Sequence, residues 1–411
     1  MLNIETAADN STCLNLGGVG GYVDSESPLS SLANTGAITA DLVANFTTFA
    51  VGGIAGSTEC GISDSKNAGK LMINNGVLLK NTSSKIYFGG IAGRNVTGDI
   101  NTYSGCVNDG EVGIGTKSND YNILPAFSGG ILGYTETPVA VKKCENNGYV
   151  NSSGANNKYD GLFSAAGGIV GAIVETAAEV ADCTVTVDTR NYAYNRNIDM
   201  DPFKMSHCGG VVGCAVGESS SDIVKISGCS NSGTLENKRS TAAGIVGFAK
   251  YAAVSGCRFT GSVVGSGPHF AAGIAGCLSD ASATDCIVKS PDIYSHSSLG
   301  FNSVNYFPSA GVVGYLYGKS SVSKCKAFAT LIQNVGSTAN EQTHLGMGLI
   351  AGISVAGSTI SDCGVGGTLN TGSAGKVQNV IMTVTSDNFG GCIVGDGNVV
   401  PSGCYYWNGQ E

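Results

Sequence analysis

The stretch "TAAGIVGFAKYAAVSGCRFTGSVVGSGPHFAAGIAGCLSDASATDC", from Thr241 to Cys286, contains one pattern twice. A small-Gly-aliphatic-x-Gly word (Ala243–Gly247) is followed by Cys257, 12 residues after its aliphatic residue. The word returns at Ala272–Gly276, and a cysteine again follows its aliphatic residue at the same distance. Self-similarity at a fixed period indicates a repeat architecture.

The first word recurs along almost the whole chain. Aligned on its aliphatic residue, it occurs at Val19, Ile54, Ile91, Ile131, Ile169, Val211, Ile245, Ile274, Val312, Ile350 and Ile393. The glycine two places later is present in all eleven copies: Gly21, Gly56, Gly93, Gly133, Gly171, Gly213, Gly247, Gly276, Gly314, Gly352 and Gly395. Repeats that start near 17, 52, 89, 129, 167, 209, 243, 272, 310, 348 and 391 predict one repeat domain over residues 1–411.

A second word follows each copy by 11 to 18 residues, and its fullest form is Cys-x-Asn-x-Gly-x-Val, as at Cys106–Val112. Leu32 and Ser65 occupy its first position in the first two copies. Cysteine occupies it in the others: Cys106, Cys144, Cys183, Cys229, Cys257, Cys286, Cys325, Cys363 and Cys404. The asparagine position is filled in early copies by asparagine and in late copies by apolar residues.

The words indicate strands rather than helices. Segments such as CTVTVDT (Cys183–Thr189) alternate β-branched residues, and no 3.6-residue period with helix caps is sustained. The Asn-Gly steps fall inside the second word, where they suit corners better than the hairpins of propeller blades. In a parallel β-helix each column becomes a ladder with one residue type every ~4.8 Å. The sequence therefore predicts an all-β fold, a parallel β-helix or β-solenoid of about eleven repeats.

Extra residues enter most repeats at the same point, between the second word and the next first word. The gap from the cysteine to the next aliphatic residue is 16 or 17 residues after Cys229 and Cys257, but 28 to 30 residues after Cys183 and Cys363. Insertions that recur at one point of a repeat project from one side of the solenoid. We therefore expect loop insertions along one side.

The columns also predict which residues face the core. The invariant glycine suits either a corner with positive φ or a close backbone approach. The aliphatic and cysteine columns are expected to point inward. The residue after the aliphatic one, such as Ala55 or Val246, is apolar too, although strand alternation places it on the opposite face. That apolar neighbour has no explanation in the sequence pattern alone.

Composition excludes several classes of partner. The net charge is −9, only 13% of residues are charged, and no basic patch occurs, which argues against nucleic acid. The most apolar stretch is interrupted by Glu175 and Glu179, so no membrane span is predicted. The amino terminus lacks the basic start and apolar run of a signal peptide. A mature or trimmed secreted chain is the favoured explanation, and a monomer is expected.

Fifteen cysteines raise the question of disulfides or metal. Ladder neighbours ~4.8 Å apart have parallel Cβ vectors, which suit a disulfide badly. Free buried thiols are therefore favoured over bridges. No Cys-x-x-Cys motif and no Cys-His cluster occurs, so neither a metal nor a cofactor is predicted. Cys257→Ser is expected to cost about 1–3 kcal/mol through an unpaired hydroxyl.

The two words together resemble the GLUG-type glycine-rich repeats of bacterial cell-surface proteins. The nearest stretch is AGIVGFAKYAAVSGCRFTGSVVG (Ala243–Gly265), and GCYYWNG (Gly403–Gly409) looks like the end of such an array. The resemblance covers Gly17 to Tyr406 and is specific for the repeat type rather than for an activity. It implies a β-solenoid on a secreted or cell-surface, adhesin-like protein of a Bacteroidetes-like bacterium.

Catalytic and metal constellations are weak. The four histidines, His207, His269, His296 and His344, are scattered and show no pairing with a nucleophile. Asp199 and Asp201 suggest calcium, but the series of oxygen ligands stops short, so a solvated loop is favoured.

The insertions are rich in aromatic residues, and binding residues concentrate on loops held by a rigid scaffold. Tyrosine offers a flat apolar face and a hydroxyl, which suit sugars. The candidate ligand-binding residues are Tyr121, Tyr159, Tyr192, Tyr194 and Tyr294. The aromatic residues directly before the first word are expected to pack against the solenoid instead: Phe88, Phe127 and Phe307.

Three functions are compatible with this pattern. The first is a non-catalytic, adhesin-like module that binds glycans or host surface proteins through its insertions. The second is a β-helix enzyme that degrades polysaccharides, which requires acidic residues converging in one groove. The third is a passive stalk that displays another domain. The first is the working hypothesis, because the sparse charge shows no acidic row.

Overall fold

The chain folds as a parallel β-solenoid, which confirms the predicted fold class. The computed structural model describes residues 13–41, 47–75, 85–97, 99–114, 125–152, 163–191, 205–237, 241–266, 270–297, 305–306, 308–335, 343–344, 346–371 and 380–410. Each coil passes in turn through four sheets, in which equivalent strands of successive coils pair in parallel. The only helix in these ranges is a 3-10 turn at Phe389–Cys392.

The first two sheets flank the glycine word. The first sheet has ten strands: Cys13–Gly17, Thr48–Gly52, Lys85–Gly89, Ala126–Gly129, Ala165–Gly167, His207–Gly209, Thr241–Ala243, Ala271–Ala272, Ser309–Ala310 and Met347–Gly348. The second has eleven: Gly20–Val23, Ala55–Thr58, Ala92–Asn95, Leu132–Thr135, Val170–Ile173, Val212–Val216, Val246–Lys250, Ala275–Ser279, Val313–Tyr317, Ala351–Ser354 and Val394–Gly397.

The third and fourth sheets lie on either side of the cysteine corner. The third sheet has ten strands: Leu29–Ser30, Ile62–Ser63, Asn101–Ser104, Val139–Lys142, Ala178–Ala181, Val224–Ser227, Ala252–Ser255, Ser282–Thr284, Ser321–Ser323 and Thr359–Ser361. The fourth has nineteen: Ala33–Asn34, Ile38–Asp41, Lys66–Asn67, Leu71–Asn75, Val107–Asn108, Val112–Ile114, Glu145–Asn146, Val150–Ser152, Thr184–Val185, Thr189–Asn191, Ser230–Asn231, Leu235–Asn237, Arg258–Phe259, Val263–Ser266, Ile287–Ser297, Lys326–Val335, Gly364–Thr371, Val380–Val384 and Tyr405–Tyr406. A separate pair joins Asn305–Tyr306 to Thr343–His344.

The number of complete coils is slightly smaller than the number of words. In the eleventh repeat the 3-10 turn Phe389–Cys392 precedes the word where the other repeats have a strand of the first sheet. The preceding strand, Val380–Val384, pairs antiparallel with Gly364–Thr371. The last word therefore belongs to a modified terminal coil, and the predicted count of about eleven repeats is too high for complete coils.

The bend between the first and second sheets explains the two successive apolar residues of the first word. The backbone N–H groups of Ile54 and Ala55 both donate to the carbonyl oxygen of Ile91 in the next coil, at 3.0 and 3.1 Å. Two consecutive donors on one acceptor break the alternation of the strand. Ile54 and Ala55 consequently both point into the core, where each is fully buried.

The invariant glycine is required by close approach rather than by its φ angle. None of its eleven copies has φ in the left-handed region. From Gly56 to Gly314, an added Cβ would lie only 2.4–2.6 Å from the carbonyl oxygen of the same glycine in the preceding coil. A side chain at this column would therefore separate adjacent coils.

A different column, directly before the cysteine position, has positive φ angles in every coil. All eleven residues there have φ between 47° and 64°: Ser31, Asp64, Gly105, Lys143, Asp182, Gly228, Gly256, Asp285, Lys324, Asp362 and Gly403. The left-handed conformation turns the chain from the third sheet into the fourth. This conformation destabilises residues other than glycine by about 1–2 kcal/mol each, so the corner is strained in seven coils.

The cysteine ladder completes this corner from inside. Every ladder thiol from Cys106 to Cys363 donates to a carbonyl oxygen of the preceding coil, at 3.3–4.0 Å. Cys183, for example, bonds Val141 O of that coil and Ala181 O of its own. All fifteen cysteines are free, in agreement with the prediction of unbridged thiols.

A ladder of buried asparagines runs through the first four coils. Asn34, Asn67 and Asn108 each donate from Nδ2 to Oδ1 of the next asparagine, at 2.7–2.8 Å. Asn146 is the last member of the ladder. Each of the four side chains also donates to the carbonyl oxygen two residues later, which holds the Asn-x-Gly corner. The asparagine column therefore links neighbouring coils and bends the fourth sheet at the same time.

Candidate functional site

The outer face of the fourth sheet changes character along the solenoid. In the amino-terminal half it is polar, and its charges are paired. Lys66 Nζ lies 2.6 Å from Asp109 Oδ2, and Lys70 Nζ lies 2.7 Å from Glu111 Oε2. Further along, Arg190 Nε lies 2.6 Å from a carboxylate oxygen of Glu236. Here the lysines and arginine neutralise carboxylates of neighbouring coils.

The same sheet straightens in the carboxyl-terminal half. Val288, Ala327 and Val365 occupy the asparagine column there, so no side-chain amide holds the corner. The two short strands of each coil merge into the long strands Ile287–Ser297 and Lys326–Val335. Loss of the amide does not by itself merge the strands, because the coils of Val185 and Phe259 also lack the asparagine and keep two short strands.

Tyr294 lies in a strand of the fourth sheet, on its outer face. The prediction that it belongs to a loop insertion is therefore wrong. It is in the middle of the strand Ile287–Ser297, in register with Val264 of the preceding coil and Ile332 of the next. Its side chain is half-buried and points away from the core, since Ile293 and Ser295 on either side are buried. Tyr294 is thus one aromatic member of an exposed sheet surface.

Three aromatic residues and two lysines form an exposed surface at the carboxyl-terminal end of this face, and we call it the aromatic platform. They are Phe328, Tyr405, Trp407, Lys289 and Lys326. Phe328 and Trp407 meet edge to face, with ring centroids 6.4 Å apart. The Nζ atoms of Lys289 and Lys326 lie 5.7 and 5.6 Å from the centroid of the Trp407 ring. One indole ring therefore holds two ammonium groups in place.

Two glycines let the rings of the platform lie flat on the backbone. An added Cβ at Gly364 would come within 2.9 Å of Tyr405 Cε2, and one at Gly366 within 2.9 Å of Phe328 Cδ2. Tyr405 and Phe328 remain 42% and 38% exposed, whereas Trp407 is only 6% exposed. Tyr405 and Phe328 can therefore stack with a ligand, while Trp407 supports the lysines from beneath.

The platform could have been found from the repeat alignment. Lys289, Phe328, Gly366 and Trp407 each follow the cysteine column by three residues. Lys326 and Tyr405 follow it by one residue, and both offsets point outward. The aromatic residues of the insertions gave no indication of these two columns.

The other predicted ligand-binding tyrosines lie outside the described residues, namely Tyr121, Tyr159, Tyr192 and Tyr194. The same holds for Phe307, Asp199 and Asp201. The structure therefore brings only one of the five predicted residues, Tyr294, onto a described surface.

A second aromatic array fills the angle between the first and second sheets. Tyr87 and Tyr134 are both buried, and their ring centroids are 4.7 Å apart. Phe127 packs on both of these rings, and Phe88 is buried on the opposite side of the first sheet. Phe88 and Phe127 are thus packing residues, as predicted. This array is too buried to receive a ligand.

Burial moves the pKa values of His207 and Cys363 away from their usual ranges. His207 is buried, its Nδ1 lies 2.8 Å from Thr241 Oγ1, and its ring stacks on Phe248. Burial lowers the pKa of His207 to about 3, so the ring is neutral at physiological pH. Burial likewise raises the pKa of the Cys363 thiol to about 12.

Within the described ranges, no group of three or more His, Cys, Asp or Glu side chains could hold a metal ion. No helix in those ranges has the length and apolar character needed to cross a membrane.

Comparisons with known proteins give no match: no protein-family model, no curated protein and no solved structure is similar to this chain.

Proposed function

We propose that this chain is a non-catalytic, adhesin-like module of a secreted or cell-surface protein, and that it binds glycans. The observation that supports the proposal is the aromatic platform, two partly exposed rings held flat over glycine on a rigid sheet. A sugar ring has an apolar face that stacks on such aromatic surfaces, while neighbouring polar groups bond its hydroxyls. The platform offers both within one surface.

The scaffold supports binding rather than movement. Backbone hydrogen bonds join each coil to the next, and every sheet runs along the array of coils. The surface is therefore preorganised, and little conformational entropy is lost when a ligand binds. The resemblance to GLUG-type repeats is the reason for proposing a bacterial surface location, and within this proposal the module acts as a monomer.

A glycan array probed with the purified chain tests the proposal, with the eluted glycans checked for cleavage. Tyr405→Ala is expected to weaken binding about fivefold, equivalent to ~1 kcal/mol of stacking. Tyr317→Ala is the matched control, because Tyr317 is an equally exposed tyrosine on the second sheet. Thermal melts of both variants verify that the fold is intact.

Intact bound glycans with selective loss in Tyr405→Ala support the module. Cleaved glycans would indicate a polysaccharide-degrading enzyme instead of a binding module. Binding of no glycan on a broad array would favour a second candidate function, the passive spacer. That role is supported by the continuous hydrogen bonding between coils, which makes the array stiff along its axis.

A further inference from the structure

We infer that the aromatic platform selects acidic saccharides, those that carry carboxylate or sulfate groups. The inference rests on the proposed glycan-binding function and adds the ligand class. It is carried by Lys326, whose ammonium lies over the Trp407 ring on the same face as the exposed rings of Tyr405 and Phe328.

The position of Lys326 differs from that of its counterpart in the amino-terminal half. Lys66 and Lys326 both follow the cysteine column by one residue, so they share one column of the fourth sheet. Lys66 is neutralised by Asp109 at 2.6 Å. Within the described part of the chain Lys326 forms no ion pair, and its ammonium lies over the Trp407 ring instead.

A cation above an aromatic ring keeps its outer hydrogens available for an anion. The ring attracts the ammonium through its quadrupole, but it accepts no strong hydrogen bond and carries no net charge. Lys326 therefore retains its donors, and Lys289 lies over the same ring. The positive charge of Lys326, held in place over the ring, suits a ligand with a fixed negative group.

The local charge contrasts with that of the whole chain. The protein carries a net charge of −9, which disfavours acidic polymers in general. Arg258, Lys289 and Lys326 occupy the outward columns next to the cysteine ladder in three successive coils. The cations are thus gathered on the one face that also carries the exposed rings.

The geometry suggests how one sugar residue binds. The rings of Tyr405 and Phe328 supply the apolar surface, and the ammonium of Lys326 lies over the Trp407 ring on the same face. A pyranose stacked on the tyrosine can present an equatorial carboxylate or sulfate to the lysine. Neutral sugars gain the stacking alone, so acidic sugars bind more tightly.

The test compares three probes of matched length on the full chain by calorimetry: oligogalacturonate, a sulfated galactan oligosaccharide and unsulfated galactan. At least one acidic probe is expected to bind about tenfold more tightly than the neutral one. Lys326→Gln is expected to weaken the acidic probe about three- to fivefold and to leave the neutral probe unchanged. Lys66→Gln, at the same column, is expected to change neither. Added salt should weaken only the acidic probes.

The outcomes separate this inference from the function beneath it. Equal affinity for acidic and neutral probes, or equal effects of Lys326→Gln and Lys66→Gln, overturns the acidic selectivity and leaves glycan binding intact. Binding of no probe overturns both. Preference for one acidic probe over the other tells carboxylate from sulfate, and either preference supports the inference.

Discussion

Replacing Asn67 and Asn108 by valine, singly and together, tests whether the asparagine ladder couples neighbouring coils energetically. Valine occupies the same column at Val185, so the coil accepts its shape. Asn108 makes three side-chain hydrogen bonds: it donates to Gly110 O and Asn146 Oδ1, and it accepts from Asn67 Nδ2 at 2.8 Å. At about 1 kcal/mol for each net hydrogen bond, Asn108→Val is expected to cost roughly 3 kcal/mol.

The double variant isolates the bond between the two asparagines. Once Asn108 is valine, the second amide hydrogen of Asn67 has lost its partner, so replacing Asn67 costs less than in the wild type. The coupling energy is expected to be roughly 1–2 kcal/mol. Asn231 provides the control, because it belongs to the same column but bonds only Gly244 O and Gly233 N. The pair Asn108 and Asn231 is expected to be additive.

Urea unfolding at equilibrium measures these free energies, and a constant slope against urea shows that all variants expose the same surface. Additivity of Asn67→Val and Asn108→Val within about 0.5 kcal/mol would refute the reasoning. It would mean that the amide chain contributes only through the local Asn-x-Gly corners.

Three further predictions concern other columns. Cys257→Ser is expected to cost about 1 kcal/mol, at the low end of the sequence-based range, because the hydroxyl can donate to Ser255 O as the thiol does; a loss above 3 kcal/mol in urea would contradict this. Gly247→Ala is expected to cost more than 3 kcal/mol, since its Cβ would lie 2.6 Å from a carbonyl oxygen, whereas Gly256→Ala, at φ +60° with open space, is expected to cost about 1–2 kcal/mol; equal losses in thermal melts would exclude the close-approach explanation. His207 has a pKa of about 3 when folded and about 6.5 when unfolded, so the unfolded state binds more protons between these values. The wild type should therefore lose about 1.4 kcal/mol per pH unit below pH 6.5, and His207→Phe should lose that much less per unit between pH 6.5 and 5; identical slopes would show that His207 titrates normally.

The sequence predicted the parts of the fold that depend on one residue type at one column. The invariant glycine, the aliphatic residue and the cysteine define the coil, and all three columns lie where their size and polarity require. The apolar residue after the aliphatic one became explicable only with the bend, in which two N–H groups share one carbonyl oxygen. A two-residue alternation rule cannot foresee that geometry.

The strained corner was not predictable in the same way. Its column contains aspartate or glycine in eight of eleven coils, types that favour positive φ, but the sequence pattern alone did not single out this column. Of the two alternatives predicted for the invariant glycine, the structure shows the close backbone approach and not the positive φ.

The aromatic platform could be predicted from the sequence only by comparing the same column in successive coils. Lys289 and Trp407 lie far apart in sequence but follow the cysteine by the same three residues. The loss of asparagine in late repeats was visible in the sequence, but it does not predict the merged strands, because the coils of Val185 and Phe259 lack asparagine and keep two short strands. Tyr294 was chosen for its residue type, and only the strand register places it on the same face as Phe328.

Hydrogen–deuterium exchange with and without a saturating bound glycan tests the proposed location of the binding surface most directly. Binding at the aromatic platform predicts slower exchange in residues 326–333, 364–371 and 403–410. It also predicts no change in residues 66–73, the same face in the amino-terminal half. Protection confined to the insertions between coils, or equal along the whole face, would contradict a binding site at Phe328, Tyr405 and Lys326.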